Sequence, residues 1–501
     1  MSSTQGKPPE NILIVGGGSA GWMCASVFLN TMGKAGSRIT LIESPNIPSI
    51  GVGEGTTPLF KRFLNFVGIS EEELIRHCKA SYKLGIKFPG WTNSEEFPSY
   101  FHPFTSPGLT QFEDDFFSYC DRRRQRENLN TDPGDFFFNA ALASLSKAPL
   151  GPPPCDAGKL EYAYHFDTAL VADYLKQRCI DLGINYVSAD VSEVVQNDQG
   201  DLSHVLTESG EKLTADFFVD CTGFRKLLIG KTLDEKILPY KPRLFNDSAC
   251  VIRTAVSEDV EFPPYTESTA LKCGWAWRIP IGSKISWGYV HSSDYTSKED
   301  AEQELRSLIG EDAEGIDALY IKLETGRLAQ HWKRNCVAIG LSQGFIEPLE
   351  ATALALTQFS INRFATHFTR GGYSDAHRDF YNDIINEAFD RTIDYIQMHY
   401  KLNTREDSQY WIDCRENDNI TDTMRAIING WDSGGDFIEV LKEQVHRSSY
   451  APYSWYCIMA GMGRFPENAR QPTVRQTQHP YHELAIQHHD HYQYLQNVSA
   501  S

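Results

Sequence analysis

Two carboxylates three residues apart, Glu347 and Glu350, lie either side of a proline in Gly344-Phe345-Ile346-Glu347-Pro348-Leu349-Glu350-Ala351-Thr352. Pro348 fixes the backbone between them. A carboxylate held in this way can stabilise a developing positive charge or accept a proton. A second pattern lies near the other end of the chain. The apolar run 11–15 leads into Gly16-Gly17-Gly18-Ser19-Ala20-Gly21-Trp22, with Gly-x-Gly-x-x-Gly spacing at Gly16, Gly18 and Gly21. These glycines permit a tight turn and let a helix N-terminus approach a pyrophosphate. Glu43 ends a second apolar run, 38–43, where an acid can bind ribose hydroxyls. A dinucleotide of the FAD type fits this strand–helix–strand start.

The elements that must position these groups are partly readable. Residues 22–32 follow the glycines as a helix. Residues 81–88 alternate, with Tyr82, Leu84, Ile86 and Phe88 on one face and Ser81, Lys83, Gly85 and Lys87 on the other, which predicts one strand. A lysine on such a strand is ordinarily solvated. The prolines and glycines of 148–158 mark a loop or crossover, and 217–224 and 336–340 each read as a buried strand entering a turn. From Tyr381 onward, Ile385, Phe389, Ile393, Ile396 and Tyr400 recur at helical spacing, so the region after 362 is expected to be mainly helical. His479, His482, His488, His489 and His491 crowd the tail. With no cysteine among them they read as a solvated helix face, and no metal site is expected.

The chain has 501 residues, enough for two or three domains. Its net charge of −19 disfavours nucleic acid and anionic membranes. Eleven cysteines without Cys-x-x-Cys spacing read as reduced, buried thiols. With no apolar run of membrane-spanning length, a cytoplasmic protein is expected.

Gly274-Trp275-Ala276-Trp277-Arg278-Ile279-Pro280, together with the 344–352 segment and in the same chain order, resembles the flavin-dependent halogenases of the tryptophan halogenase group. The resemblance runs from Ile12 to about Gly463. It takes in Gly51-Val52-Gly53-Glu54-Gly55-Thr56-Thr57-Pro58, Tyr164-His165-Phe166-Asp167 and the Asp220-to-Phe224 turn. It implies an α/β fold, with a Rossmann-like FAD domain of the flavin monooxygenase type and a mainly helical substrate domain. The expected division is 1–98 with 155–361 for FAD and 99–154 with 362–501 for substrate.

By the same resemblance, Lys83 and Glu350 are the catalytic pair, with Glu347 structural. Gly16, Gly18, Ser19, Ala20, Gly21, Glu43, Gly53, Glu54, Gly55 and Gly340 hold FAD, used as FADH2 from a separate reductase. Thr352 and Ala353 supply a chloride or bromide site, Trp275 and Trp277 wall a tunnel, and His102 and Phe104 sandwich an aromatic substrate. Tyr450, Tyr453, Ser454 and Trp455 line the rest of the substrate site. The sequence leaves the oligomeric state open, a homodimer among the options. The chain departs from the family in two places. Ala351-Thr352-Ala353 replaces Ser-Thr-Gly, an exchange that matters most where the glycine position needs positive φ. Between 420 and 447 the chain is shorter, without the Tyr-Tyr pair and Glu that clamp an amino-acid backbone. Indole or an indole derivative is therefore expected instead of free tryptophan. The alternatives are a single-component flavin hydroxylase, or a non-catalytic FAD-binding redox sensor.

Overall fold

A computed structural model of the chain describes residues 6–47, 54–105, 110–151, 160–256, 262–282, 284–445, 450–469 and 481–500. The Asn11–Val15 strand runs into the Ser19–Phe28 helix and on to the Arg38–Glu43 strand, as the glycine spacing predicts. Both strands join a six-stranded sheet ordered Trp332–Lys333, Cys336–Ala338, Phe217–Asp220, Asn11–Val15, Arg38–Glu43, Asn185–Ser188. All neighbours pair in parallel except the edge strand Trp332–Lys333. The Ser19–Phe28 helix helps cover the face carrying Ile12 and Ile14, while Leu13, Val15, Ile42 and Phe218 on the other face pack with Leu202 and Val205 of the Leu202–Thr207 strand and with Leu228 and Ile229. This is the expected α/β, Rossmann-like FAD domain.

A second sheet of seven strands, mostly antiparallel, carries Gly274–Ile281 near its centre and ends in Gly85–Pro89 and Ser99–Pro103. A third sheet is small: Glu54–Gly55, Ala163–Phe166 and Ser81–Lys83. The single strand expected over 81–88 is therefore two. The chain breaks at Leu84, whose N–H bonds Pro264 O instead of a sheet partner. Lys83 stays in the small sheet while Lys87 goes to the large one. Lys83 is fully buried and Lys87 is not, so the two lysines share neither a sheet nor an environment.

From Thr352 the described chain is helical, with Thr352–Arg370, Arg378–Leu402 and Pro452–Gly461 closest to the site. Tyr381, Ile385, Phe389, Ile393, Ile396 and Tyr400 are all buried along Arg378–Leu402, as their spacing requires. The histidine-rich tail corrects the sequence reading. His488 and His491 are core residues: His488 Nδ1 meets Ala148 O at 3.1 Å and His491 Nδ1 meets Phe262 O at 2.9 Å. His491 Nε2 also accepts the Tyr82 N–H at 3.2 Å. Only His489 of the described tail histidines is exposed, and His479 lies outside the described residues. Ten cysteines are described, all buried and none in a disulfide. Among the described residues no helix is long and apolar enough to cross a membrane, and no His, Cys, Asp or Glu cluster could hold a metal.

Candidate active site

The glycine loop opens a cavity of about 500 Å³ lined by Gly16, Gly18, Ser19, Ala20, Glu43, Glu54, Gly55, Lys83, Trp275, Trp277 and Gly340. Gly16 has φ +114°, and a Cβ there would lie 2.2 Å from Cys221 O. Gly21 backs onto the loop itself: its Cβ would meet Gly16 O at 1.9 Å. Gly18 differs, because a Cβ would meet nothing within 4 Å. It faces space at the start of the Ser19–Phe28 helix, where unpaired N–H groups favour an anion. These features fit FAD, whose pyrophosphate needs that opening. Gly18→Ala should therefore leave the apo protein's melting temperature unchanged and weaken FAD at least about tenfold, or 1.4 kcal/mol. Flavin fluorescence titration beside a thermal melt checks it. Glu43 Oε2 takes Lys176 Nζ at 2.7 Å and Tyr186 Oη at 3.0 Å, which holds the acid at the cavity wall. Gly53 lies outside the described residues.

Lys83 Nζ donates to Thr56 O at 3.2 Å and lies 5.5 Å from the Phe104 ring centroid. Burial brings its pKa down to about 8, against the pull of Glu350 and Glu54 in the other direction. Glu54 stands between this lysine and the start of the Thr352–Arg370 helix. It accepts the Leu354 N–H, and burial of its carboxyl, opposed by Lys83, pushes its pKa up to about 7.

Glu350 is reached from the other side. Burial alone would raise its pKa, but His102 and His399 hold it down to about 2. His102 Nδ1 lies 3.1 Å from both carboxylate oxygens and His399 Nε2 lies 3.3 Å from Oε1. His102 Nε2 meets Ser454 Oγ at 2.9 Å. The imidazole expected to stack on a substrate is thus anchored at both nitrogens. His399 was not legible in the sequence, because it sits on a helix whose buried positions are otherwise filled by ordinary core residues.

Glu347 is committed to architecture. Burial raises its pKa to about 7. It accepts from Trp275 Nε1 at 3.1 Å, from Asn246 Nδ2 at 3.0 Å, and from the Tyr400 hydroxyl. Trp275 and Trp277 are buried on the same face of their strand with centroids 6.2 Å apart, and both reach the cavity. Glu347→Ala should strand three buried donors, at about 1–3 kcal/mol each. A urea unfolding curve should show a loss of several kcal/mol.

Ala351 adopts the left-handed region (φ 56°, ψ 41°) just before the Thr352–Arg370 helix. Ala353 lies inside that helix and is not among the positive-φ residues, so alanine is unstrained there. The strain falls on Ala351 instead, at about 1–2 kcal/mol. Thr352 Oγ1 is buried without a partner among the described residues, at a helix start that suits an anion.

Ser454 and Trp455 are buried on the Pro452–Gly461 helix. Tyr450 stacks on Tyr395 at 3.7 Å, and Tyr453 lies 5.9 Å from His102. Glu350, His102, Phe104, Ser454 and Trp455 lie off the large cavity. Residues 446 and 447, at the end of the 420–447 stretch, lie outside the described ones.

The tryptophan halogenase family model matches residues 11–478. This chain belongs to the tryptophan halogenase family. It is 34% identical to tryptophan 6-halogenase SttH of Streptomyces toxytricini over 478 residues, covering 91% of this chain and 90% of that protein. It is 33% identical to tryptophan 7-halogenase RebH of Lentzea aerocolonigenes over 489 residues, covering 91% and 90%. The crystal structure of SttH superposes with a TM-score of 0.83, covering 98% of this chain and 99% of that one. BrvH, a flavin-dependent halogenase from Brevundimonas sp. BAL3, also gives 0.83 at 27% identity, with the same coverage. The chain is therefore an enzyme of the flavin-dependent halogenase family, which sets aside the non-catalytic sensor.

Proposed function

We propose that this halogenase places chlorine or bromine on a small aromatic ring, indole or an indole derivative, with Lys83 presenting the oxidant and Glu350 receiving the ring proton. FAD, reduced by a separate reductase, would bind along Gly16–Gly21, Glu43, Gly55 and Gly340. When bound it supplies, with O2 and halide, the hypohalous acid. The amides of Thr352 and Ala353 and the hydroxyl of Thr352 would hold the halide. The cofactor module would span 1–98 and 155–361, and the substrate module 99–154 and 362–501.

One juxtaposition carries this reading. His102 and Phe104 stand two apart on an extended segment, so their side chains share a side. His102 contacts Glu350, and Phe104 faces Lys83. A flat ring lying along this pair has a cation at one end and a carboxylate at the other.

The chemistry then balances within these residues. A ring carbon attacks the halogen, and the halogen–oxygen bond breaks. The hydroxide leaves as water with a proton from the Lys83 ammonium, and the ring proton passes to Glu350. Lys83 must be charged for this, so halogenation should fall as pH rises through about 8. Glu350 is already ionised at any pH well above 2 and adds no acid limb near neutrality. A rate that instead climbs through pH 8 would assign Lys83 the role of a free amine.

The reading rests on the shorter 420–447 stretch, which lacks the Tyr-Tyr pair and Glu of the family's amino-acid clamp. Burying an unpaired ammonium and carboxylate is costly. Competition of indole against tryptophan, with FAD, a reductase and bromide, should favour indole. A clear preference for tryptophan with a single product isomer would overturn the substrate assignment.

A further inference from the structure

The ground beside Glu350 is built from aromatic rings, and it is shut. Tyr395 forms a floor. The Trp455 ring stands at 90° to it with centroids 5.0 Å apart, and the His399 ring at 81° and 5.3 Å. His102 lies tilted beside the same ring at 5.8 Å. His102 and His399 are the two imidazoles that hold Glu350, so a flat ring on the Tyr395 face has that carboxylate for a neighbour. The face is already taken. Tyr450 lies on it with centroids 3.7 Å apart and planes 16° apart. Glu350, His102, His399, Tyr395, Ser454 and Trp455 are each 5% exposed or less, and none of them lines the large cavity. No substrate reaches Glu350 until something moves.

Regular structure holds most of these groups in place. His102 is on the Ser99–Pro103 strand, Tyr395 and His399 are one turn apart on the Arg378–Leu402 helix, and Ser454 and Trp455 are on the Pro452–Gly461 helix. The Tyr395 hydroxyl donates to Ser454 O at 3.0 Å, which ties the floor to that last helix. Tyr450 differs, because it lies outside any helix or strand and is half-buried as a residue. Its phenol still reaches the site: burial, and next the charge of Glu350, hold its pKa well above the ordinary value. The stack it makes is also of the less favoured kind. Aromatic pairs prefer offset or edge-on arrangements with centroids about 4.5–7 Å apart, since two ring faces carry quadrupoles of like sign. At 3.7 Å the Tyr450 and Tyr395 rings are close to eclipsed. An incoming ring that slides to an offset position gains what this pair forgoes.

We propose that the Tyr450 ring stands in for the aromatic substrate on the Tyr395 face, and that the substrate binds by displacing it. This rests on the reading of Glu350 as acceptor of the ring proton given above. Tyr395 is then the platform on which the substrate stacks, and Tyr450, which the sequence reading places in the wall of the site, opposes binding. The exchange also selects for chemistry. A molecule must bring a flat π face to replace the one it removes, and a saturated ring of the same size brings none. An enzyme whose site is filled by its own side chain in about nine molecules of ten binds its substrate about tenfold more weakly than one whose site is open.

The test turns on the sign of an affinity change. Indole is titrated calorimetrically into the full-length, FAD-loaded enzyme with no reductase present, so that nothing turns over. Tyr450→Ala vacates the Tyr395 face and should bind indole about tenfold more tightly than wild type. Loss of a wall residue would weaken binding instead. Tyr450→Phe keeps a ring on the face and should not share the gain, while Tyr395→Leu removes the platform and should weaken binding about tenfold or more. Fluorotyrosine in place of Tyr450 reads the exchange directly by fluorine NMR, even where Tyr450→Ala fails to fold: its resonance should shift as indole is added. Weaker or unchanged binding in Tyr450→Ala, an equal gain in Tyr450→Phe, or a resonance that stays put while indole binds overturns the inference. If neither wild type nor Tyr450→Ala binds indole, the substrate assignment falls with it. Tighter binding by Tyr450→Ala in an enzyme that makes no bromoindole, once reductase and bromide are added, would sink the role given to Glu350 and leave the displacement of Tyr450 standing.

Discussion

Replacing Lys83 by alanine is expected to abolish ring halogenation while FAD still binds and reduced flavin still consumes O2, now releasing hydrogen peroxide. The expectation follows from where the ammonium lies. It is fully buried, bonded to Thr56 O, and within reach of the Phe104 face, whereas the glycine loop that fits the pyrophosphate is a separate part of the cavity. Lys87→Ala is the matched control. Lys87 sits in the other sheet, and it should lose little. Product mass, oxygen uptake and peroxide assays on both variants decide it. Equal losses in Lys83→Ala and Lys87→Ala would remove Lys83 from the mechanism.

Glu350→Gln is the second large effect. The substitution keeps the shape and discards the charge that His102 and His399 hold ionised down to about pH 2. Two imidazole contacts on one carboxylate make it a fixed anion in a buried setting, where electrostatic stabilisation of a cationic ring is strongest. The expected loss of turnover is about 10²- to 10³-fold, or roughly 3–4 kcal/mol of barrier. Single-turnover rates at saturating substrate measure it. Turnover close to wild type would leave no catalytic role for Glu350. Glu347 could not simply take it over, since Trp275, Asn246 and Tyr400 already occupy its oxygens.

The cofactor half of the molecule was legible because its signals are local. Gly16, Gly18, Gly21 and Glu43 lie within one strand–helix–strand unit, and among the glycines' contacts only those with Cys221 and Thr222 come from outside it. The catalytic half was legible only through motif resemblance. Period-two alternation put Lys83 and Lys87 on one face, and nothing in residues 81–88 announces that Leu84 would turn to Pro264 and send the halves to different sheets. The tail histidines misled for a similar reason. His491 is satisfied by Phe262 O and by the Tyr82 N–H, 229 and 409 positions away, and sequence spacing carries no trace of such partners. His399 belongs to the same class, a single polar residue whose meaning comes from a distant element.

The loop holding Glu347 and Glu350 has a consequence for how the family can change its substrates. Glu347 fixes Trp275 of the cavity wall, and Glu350, three residues on, is held by His102. A mutation that shifts this loop moves the wall and the Glu350 carboxylate together, so selection can seldom tune one without disturbing the other. The Pro452–Gly461 helix reaches the same histidine from a separate element. Ser454 meets His102 through its hydroxyl and Tyr453 lies beside the His102 ring, while Tyr450, just ahead of the helix, stacks on Tyr395. Diversification, natural or directed, should therefore accumulate there and in the neighbouring segment, with the 344–352 loop inherited as one indivisible block.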